Sequence, residues 1–142
     1  MKQVSNRMVS LVALAVVALV AAPAHAQRTP VKLIKEWSGS VADETLMKTA
    51  PQCITTKAGL ENVWKSWKIS DKMPEVDFTN EIVVIGITTG SKLKLAANIN
   101  DKGNLDVLGL GTADLSPGFR YVIATVSKEG VKTVNRKELP KE

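Results

Sequence analysis

Histidine and cysteine are nearly missing from this chain. Each occurs once in 142 residues, as His25 and Cys53. A single cysteine cannot close an internal disulfide. The single histidine falls within the first 26 residues and leaves the rest of the chain without imidazole. That removes Ser-His-Asp and Cys-His mechanisms, together with any metal site built on histidine. Repeats, low-complexity tracts and blocks of like charge are also missing, and only one apolar run is long. A chain of this length has room for one domain.

The long run lies at the start. Lys2 and Arg7 form a positive n-region, residues 8–22 are almost all apolar, and Pro23 breaks the run ahead of Ala24-His25-Ala26. Small residues at the first and third places of that triplet suit a signal peptidase. A cleaved leader over 1–26 is therefore expected, with 27–142 as the mature domain. A membrane anchor needs about 20 apolar residues, more than this run supplies. No cysteine stands at the cut to carry a lipid. The expected location is secreted or periplasmic, with no membrane span after cleavage.

Losing Lys2 and Arg7 lowers the formal charge by two from +5. So small an excess gives no electrostatic footprint for nucleic acid. Cys53 would be an odd thiol in an oxidising compartment, free to pair with another chain or to react. Flanked by Gln52 and Ile54, it is expected instead to be a small buried apolar residue.

Periodicity divides the mature chain. Residues 31–37 read as a strand of imperfect alternation, ended by Ser38-Gly39-Ser40. Asp43 is placed to cap a short helix that Pro51 would stop. Leu60, Val63, Trp64 and Trp67 stand at i, i+3, i+4 and i+7, one stripe of a helix over about 57–68 that Thr55 or Thr56 can cap. The run 82–87 is apolar without a break and rich in β-branched residues, so it predicts a strand covered on both faces. Leu93, Leu95, Ala97 and Ile99 alternate with Lys92, Lys94, Ala96 and Asn98, a strand with one wet face.

Asp101-Lys102-Gly103-Asn104 is a hairpin turn, and 105–110 runs back from it. Gly109 and Gly111 suggest a bulge or bend near the end of that strand. A turn at 114–118 leads into a strong strand at 119–127. Lys128-Glu129-Gly130 then turns into 131–135, and the polar tail from Arg136 is expected to fray. The fold class that follows is α+β. One amphipathic helix would lie, tryptophan face down, on a curved, mostly antiparallel meander of about five to six strands. The alternative is a small closed barrel with the helix as its plug.

The tryptophan-bearing helix, Val76-Asp77-Phe78, the apolar strand 82–87 and the alternating strand 93–99 together resemble the secreted bacterial protease-complex-stabilising (PrcB-like) domain, over 55–127. Members of that family place a glycine-rich, aromatic turn after the apolar strand, where this chain has Gly90-Ser91-Lys92 without the aromatic. Residues 115–121 are similar to small secreted bacterial proteins of about this length. The first resemblance implies a non-enzymatic, protein-contacting role and supplies no catalytic residue.

The residues themselves offer few routes to chemistry. Ser91 and Lys92 are neighbours on an extended segment and point to opposite faces. Asp114, Ser116 and Arg120 read as a turn, with the aspartate accepting backbone N–H bonds and pairing with the arginine. Glu75 and Asp77 could share a face as paired carboxylates, the requirement of a glycoside hydrolase. Asp101-Lys102-Gly103-Asn104 lacks the oxygen count of a calcium loop. The basic side of the helix, Lys57, Lys65, Lys68 and Lys72, reads as a solvated face.

No catalytic, cofactor or metal residue is therefore assigned. The expectation is an exported binding or structural module that contacts another envelope or secreted protein. Its candidate contacts are Trp37, Asp114, Ser116, Phe119, Arg120 and Tyr121, together with an exposed strand edge that could accept an extended peptide. The alternative is a carboxylate-dependent hydrolase of cell-wall or polysaccharide material. A carrier of a small apolar ligand would need a cavity inside a closed sheet.

Overall fold

The computed structural model describes residues 27–141, so the expected leader lies outside the described residues. In chain order the strands are β1 (Arg28–Val31), β2 (Lys35–Val41), β3 (Cys53–Ile54), β4 (Glu81–Thr88), β5 (Leu93–Asn100), β6 (Asn104–Gly111), β7 (Phe119–Ser127), β8 (Thr133–Val134) and β9 (Lys137–Glu138). A 3-10 helix, Glu44–Thr49, follows β2, and the α-helix α1, Lys57–Ser66, follows β3. No helix of the described residues is long and apolar enough to cross a membrane.

The α+β class holds, but the single meander does not. Two sheets form, ordered β2-β7-β4-β3 and β1-β5-β6-β8-β9, and they do not close into a barrel. The reason lies in β4 and β7, which are apolar on both faces. Val83, Ile85, Ile123, Tyr121 and Phe119 point one way, into a cluster with Leu60, Val63, Trp64 and Trp67 of the α1 segment. Ile82, Val84, Val122, Ala124 and Val126 point the other way, against Leu95, Ala97, Leu105 and Val134 of the second sheet. A helix covers one face, and only another sheet remains to cover the other. The layers are therefore helix, sheet and sheet.

This layering redirects the connections. β4 pairs antiparallel with β7, not with the strand that follows it. Only β5 and β6 form the expected hairpin, around Gly103 at a φ of 82°. The expected strand at 31–37 is two strands: β1 pairs with β5 in one sheet and β2 with β7 in the other. The chain crosses between sheets at residues 32–34, which joins them along one side. After Gly130 the chain also changes sheet, and β8 pairs parallel with β6 over two residues. The tail from Arg136 was expected to fray, yet Lys137 and Glu138 pair back on β8, and the Pro140 carbonyl accepts a hydrogen bond from Thr55 Oγ1 at 3.2 Å.

The local signals that set the helix held. Thr56 Oγ1 accepts from the Gly59 N–H at 3.1 Å, satisfying one orphan donor of the first turn. Trp67 caps the other end, and Lys68 then enters the left-handed region at a φ of 51°. Asp43 caps the 3-10 helix by accepting from the Thr45 N–H. Trp64 is buried and its indole Nε1–H donates to the Asp71 carbonyl at 2.8 Å, so the ring meets no polar penalty.

Candidate functional site

The residues proposed as contacts are not gathered at one place. Trp37 sits on β2, the outer strand of its sheet, half-buried with its side chain on the α1 side against the aromatic core. Arg120 is exposed on β7 and points away from that core. Phe119 and Tyr121 are corrections: they are 1% and 5% exposed and cannot touch a partner. β7 is a central strand, and its odd-numbered residues in this stretch face α1, where the Trp67 ring meets Phe119 edge-on at 5.2 Å between centroids and Tyr121 at 5.3 Å. Burial, with the charge of Asp71 second, pushes the Tyr121 hydroxyl pKa up.

Asp114 accepts a backbone N–H as expected, but from outside its own turn and without pairing with Arg120. Its carboxylate accepts the Ser91 N–H at 3.1 Å, and the Thr112 hydroxyl accepts the Lys92 N–H. Hydrogen bonding from the Ser91 and Thr112 side chains holds the Asp114 carboxyl well below the usual carboxylate range. Asp114 thus ties the turn after β4 to the loop before β7. The one ion pair among the described residues is Arg28 to Asp106, at 3.9 Å. Ser116 contributes its backbone N–H to the Thr89 carbonyl. Gly118, at a φ of 71°, packs against the Val41 carbonyl where any side chain would collide.

Glu75 and Asp77, the pair considered for hydrolysis, are both exposed on the segment before β4, and Asp114 lies far from them. Asp77 accepts from the Thr79 N–H and the Asn80 amide, and its own carbonyl receives the Glu81 N–H at the start of β4. Asp114 is held beside the turn that follows Thr88, at the other end of β4. Eight residues of strand place these ends roughly 20 Å apart. Asp77 and Asp114 therefore do not share a cleft.

What the fold does assemble is an open side. The chain joins the two sheets at β1 and β2, while beside β3, β8 and β9 they are bridged by the Asn135 amide donating to Gln52 Oε1 at 3.5 Å and the Thr55 hydroxyl donating to the Pro140 carbonyl. A cleft of about 650 Å³ runs between them, lined by Cys53, Gly86, Ile87, Val107, Gly109 and Lys137 among others. At its inner end the sheets nearly touch: a Cβ on Gly86 would lie 3.8 Å from the Gly109 Cα. The Cys53 thiol, half-buried against the aliphatic core, has its pKa pushed up to about 11 by burial. It is protonated near neutral pH and a poor nucleophile.

β6 borders this cleft with an unfinished edge. β8 covers it only at Asn104 and Leu105. Beyond that, the Asn135 N–H reaches the Leu105 carbonyl and the Asn135 Oδ1 receives the Val107 N–H, each at 2.8 Å. On the other side, the Thr112 N–H donates to the Lys92 carbonyl across from β5. Backbone groups alternate along an antiparallel pair. The odd residues of β6 therefore aim theirs outward, leaving the Val107 C=O and the N–H and C=O of both Gly109 and Gly111 without a strand to meet. Leu108 and Leu110, each 54% exposed, stand beside this edge on the outer face.

These two leucines were missed in the sequence. The signal was present: from Val107 through Leu110 both phases of the alternation turn apolar, so one phase must be left outside unless a further layer covers it. Searches against protein-family profiles, curated proteins and solved structures return no match.

Proposed function

We propose that this chain is an exported, non-catalytic binding module that takes up an extended segment of a protein in the envelope or secreted space. The leader pattern of residues 1–26 supports the location. The resemblance to the protease-complex-stabilising domain points to the same kind of role. The observation that carries the reading is the uncovered stretch of β6 at 107–111, flanked by Leu108 and Leu110 and backed by the open cleft. Adding a strand there would pair the outward backbone groups of Val107, Gly109 and Gly111 and cover the two leucines. Main-chain bonds supply affinity in this mode and alternate side-chain positions supply selectivity.

The test is capture from envelope extract, comparing the exported chain with Leu110→Lys. Leu110 is more than half exposed, so the variant keeps its core. A discrete protein retained by the natural chain and lost with Leu110→Lys supports the reading. Retention of the same background by both chains removes it.

A further inference from the structure

The tail beyond β8 crosses the mouth of the cleft and is fastened unequally along its length. Up to Arg136 it is held closely to β6. The Asn135 N–H and Oδ1, the Thr133 hydroxyl and the Arg136 N–H all bond to residues 104–107 at 2.8–2.9 Å. From Lys137 onward the hold is light. β9 is two exposed residues, Leu139 is only partly buried, and Pro140 and Lys141 are exposed. The bonds that reach the other sheet are long side-chain contacts, 3.5 Å from Asn135 to Gln52 and 3.2 Å from Thr55 to Pro140. Segments with so few buried contacts are the ones that open locally.

A strained turn separates the firm part from the light one. Asn135 and Arg136 both take the left-handed conformation, at φ values of 48° and 66°. Such a two-residue turn favours Asn followed by Gly, and a Cβ at the second place raises the energy of the closed form. Pro140 also stands between two hollows. The cleft of about 650 Å³ lies on one side, and a groove of about 820 Å³ runs on the other past Ile54, Gly59, Val63 and Trp67. Pro51, Cys53 and Pro140 line both.

We propose that residues 137–141 are a releasable strap. Closed, it divides the cleft from the groove. Swung out about Asn135-Arg136, it joins them into one trough that ends at the free edge of β6. This rests on the reading of β6 as a docking edge and adds its regulation. Lys137, Glu138 and Pro140 share the cleft with Val107 and Gly109, so the strap and an incoming segment compete for the same space. β8 and the bonds of Asn135 to β6 lie on the firm side and stay in place when the strap leaves. Docking is then weakened by the fraction of time the strap is closed.

Cys53, at the boundary of both hollows, reports the strap. Its reaction with a disulfide reagent in the folded chain should run about 5-fold faster in Thr55→Val, which keeps the side-chain shape but removes the donor to Pro140. It should run about 2-fold slower in Arg136→Gly, which relieves the turn and favours the closed form. Equal rates in the three chains overturn the strap. So does a rate that climbs steeply in low urea, as global unfolding would make it. In capture from envelope extract, the protein retained through Leu110 should increase with Thr55→Val and decrease with Arg136→Gly. If the thiol rates change as expected and retention ignores them, gating is wrong and the docking edge stands. If none of the three chains retains a discrete protein, the docking edge is lost, and the thiol rates still decide the strap.

Discussion

The central strands β4 and β7 divide the interior into two parts of different make. On the α1 side they meet rings: Trp64, Trp67, Phe119 and Tyr121 are all buried there, with Trp37 and Phe78 packed at the margin. On the other side the core is aliphatic, and Gly86, Ala97 and Ala124 keep it thin enough for two sheets to approach. A helix is a cylinder on a twisted surface and leaves tall, uneven gaps that large planar groups fill. Two aligned sheets leave a uniform slot that suits branched aliphatics. The aromatic part is closed by α1, whereas the aliphatic part opens along the cleft.

If that division is right, truncation should cost most on the aromatic side. Phe119→Ala removes a ring that is 1% exposed and meets Trp67 edge-on, and should destabilise by about 3–5 kcal/mol in urea unfolding. Leu105→Ala, equally buried but in the aliphatic part, removes a smaller side chain and should cost about 2–3 kcal/mol. A larger loss from Leu105→Ala would reverse the comparison. Next in size is Gly86→Ala. Its methyl would be driven into Leu95 where the sheets are closest, an overpacking that should cost about 1–3 kcal/mol. No loss there would mean the sheets have slack to separate.

Much of this division was legible. The helix followed from the spacing of Leu60, Val63, Trp64 and Trp67, and the unbroken run 82–87 already demanded cover on both faces. What covers the second face was not legible, because strand partners are chosen by layers that form only in three dimensions. Nothing local in 31–37 shows that β1 and β2 belong to different sheets, and nothing in 128–135 shows that β8 joins β6 in parallel. Phe119 and Tyr121 are a different kind of miss. They flank Arg120 in strict alternation, so one exposed and two buried positions could have been read directly. Proximity to the turn at 114–118 drew them wrongly to the surface.

Cys53 sharpens the comparison from the open side. Its thiol lies at the mouth of the aliphatic part with a pKa raised from 9.0 to about 11 by burial. At pH 8 its reaction with a disulfide reagent should run about 100-fold slower in the folded chain than in denaturant, following the thiolate fraction. The linkage runs the same way. A folded pKa above the unfolded one favours the native state fully below pH 9.0, and that contribution is lost as the pH rises through about 11. Equal rates folded and unfolded would show that the cleft admits water to the thiol freely.

The smallest expected effect concerns how the aromatic part is fastened. The Ile69 N–H donates back to the Trp64 carbonyl at 3.0 Å, a wrap that ends α1 and turns the chain towards Asp71, where the Trp64 indole is held. Lys68 supplies the left-handed residue that this wrap requires, at a φ of 51°. A side chain costs about 1–2 kcal/mol in that conformation. Glycine removes this cost but adds freedom to the unfolded chain, which takes back about 0.4–1 kcal/mol. Lys68→Gly should therefore stabilise by about 0.5–1 kcal/mol in urea unfolding, while Lys68→Ala, which loses the charge but keeps the Cβ, should not. A gain from alanine equal to that from glycine would place the effect in the lysine charge and not in the backbone.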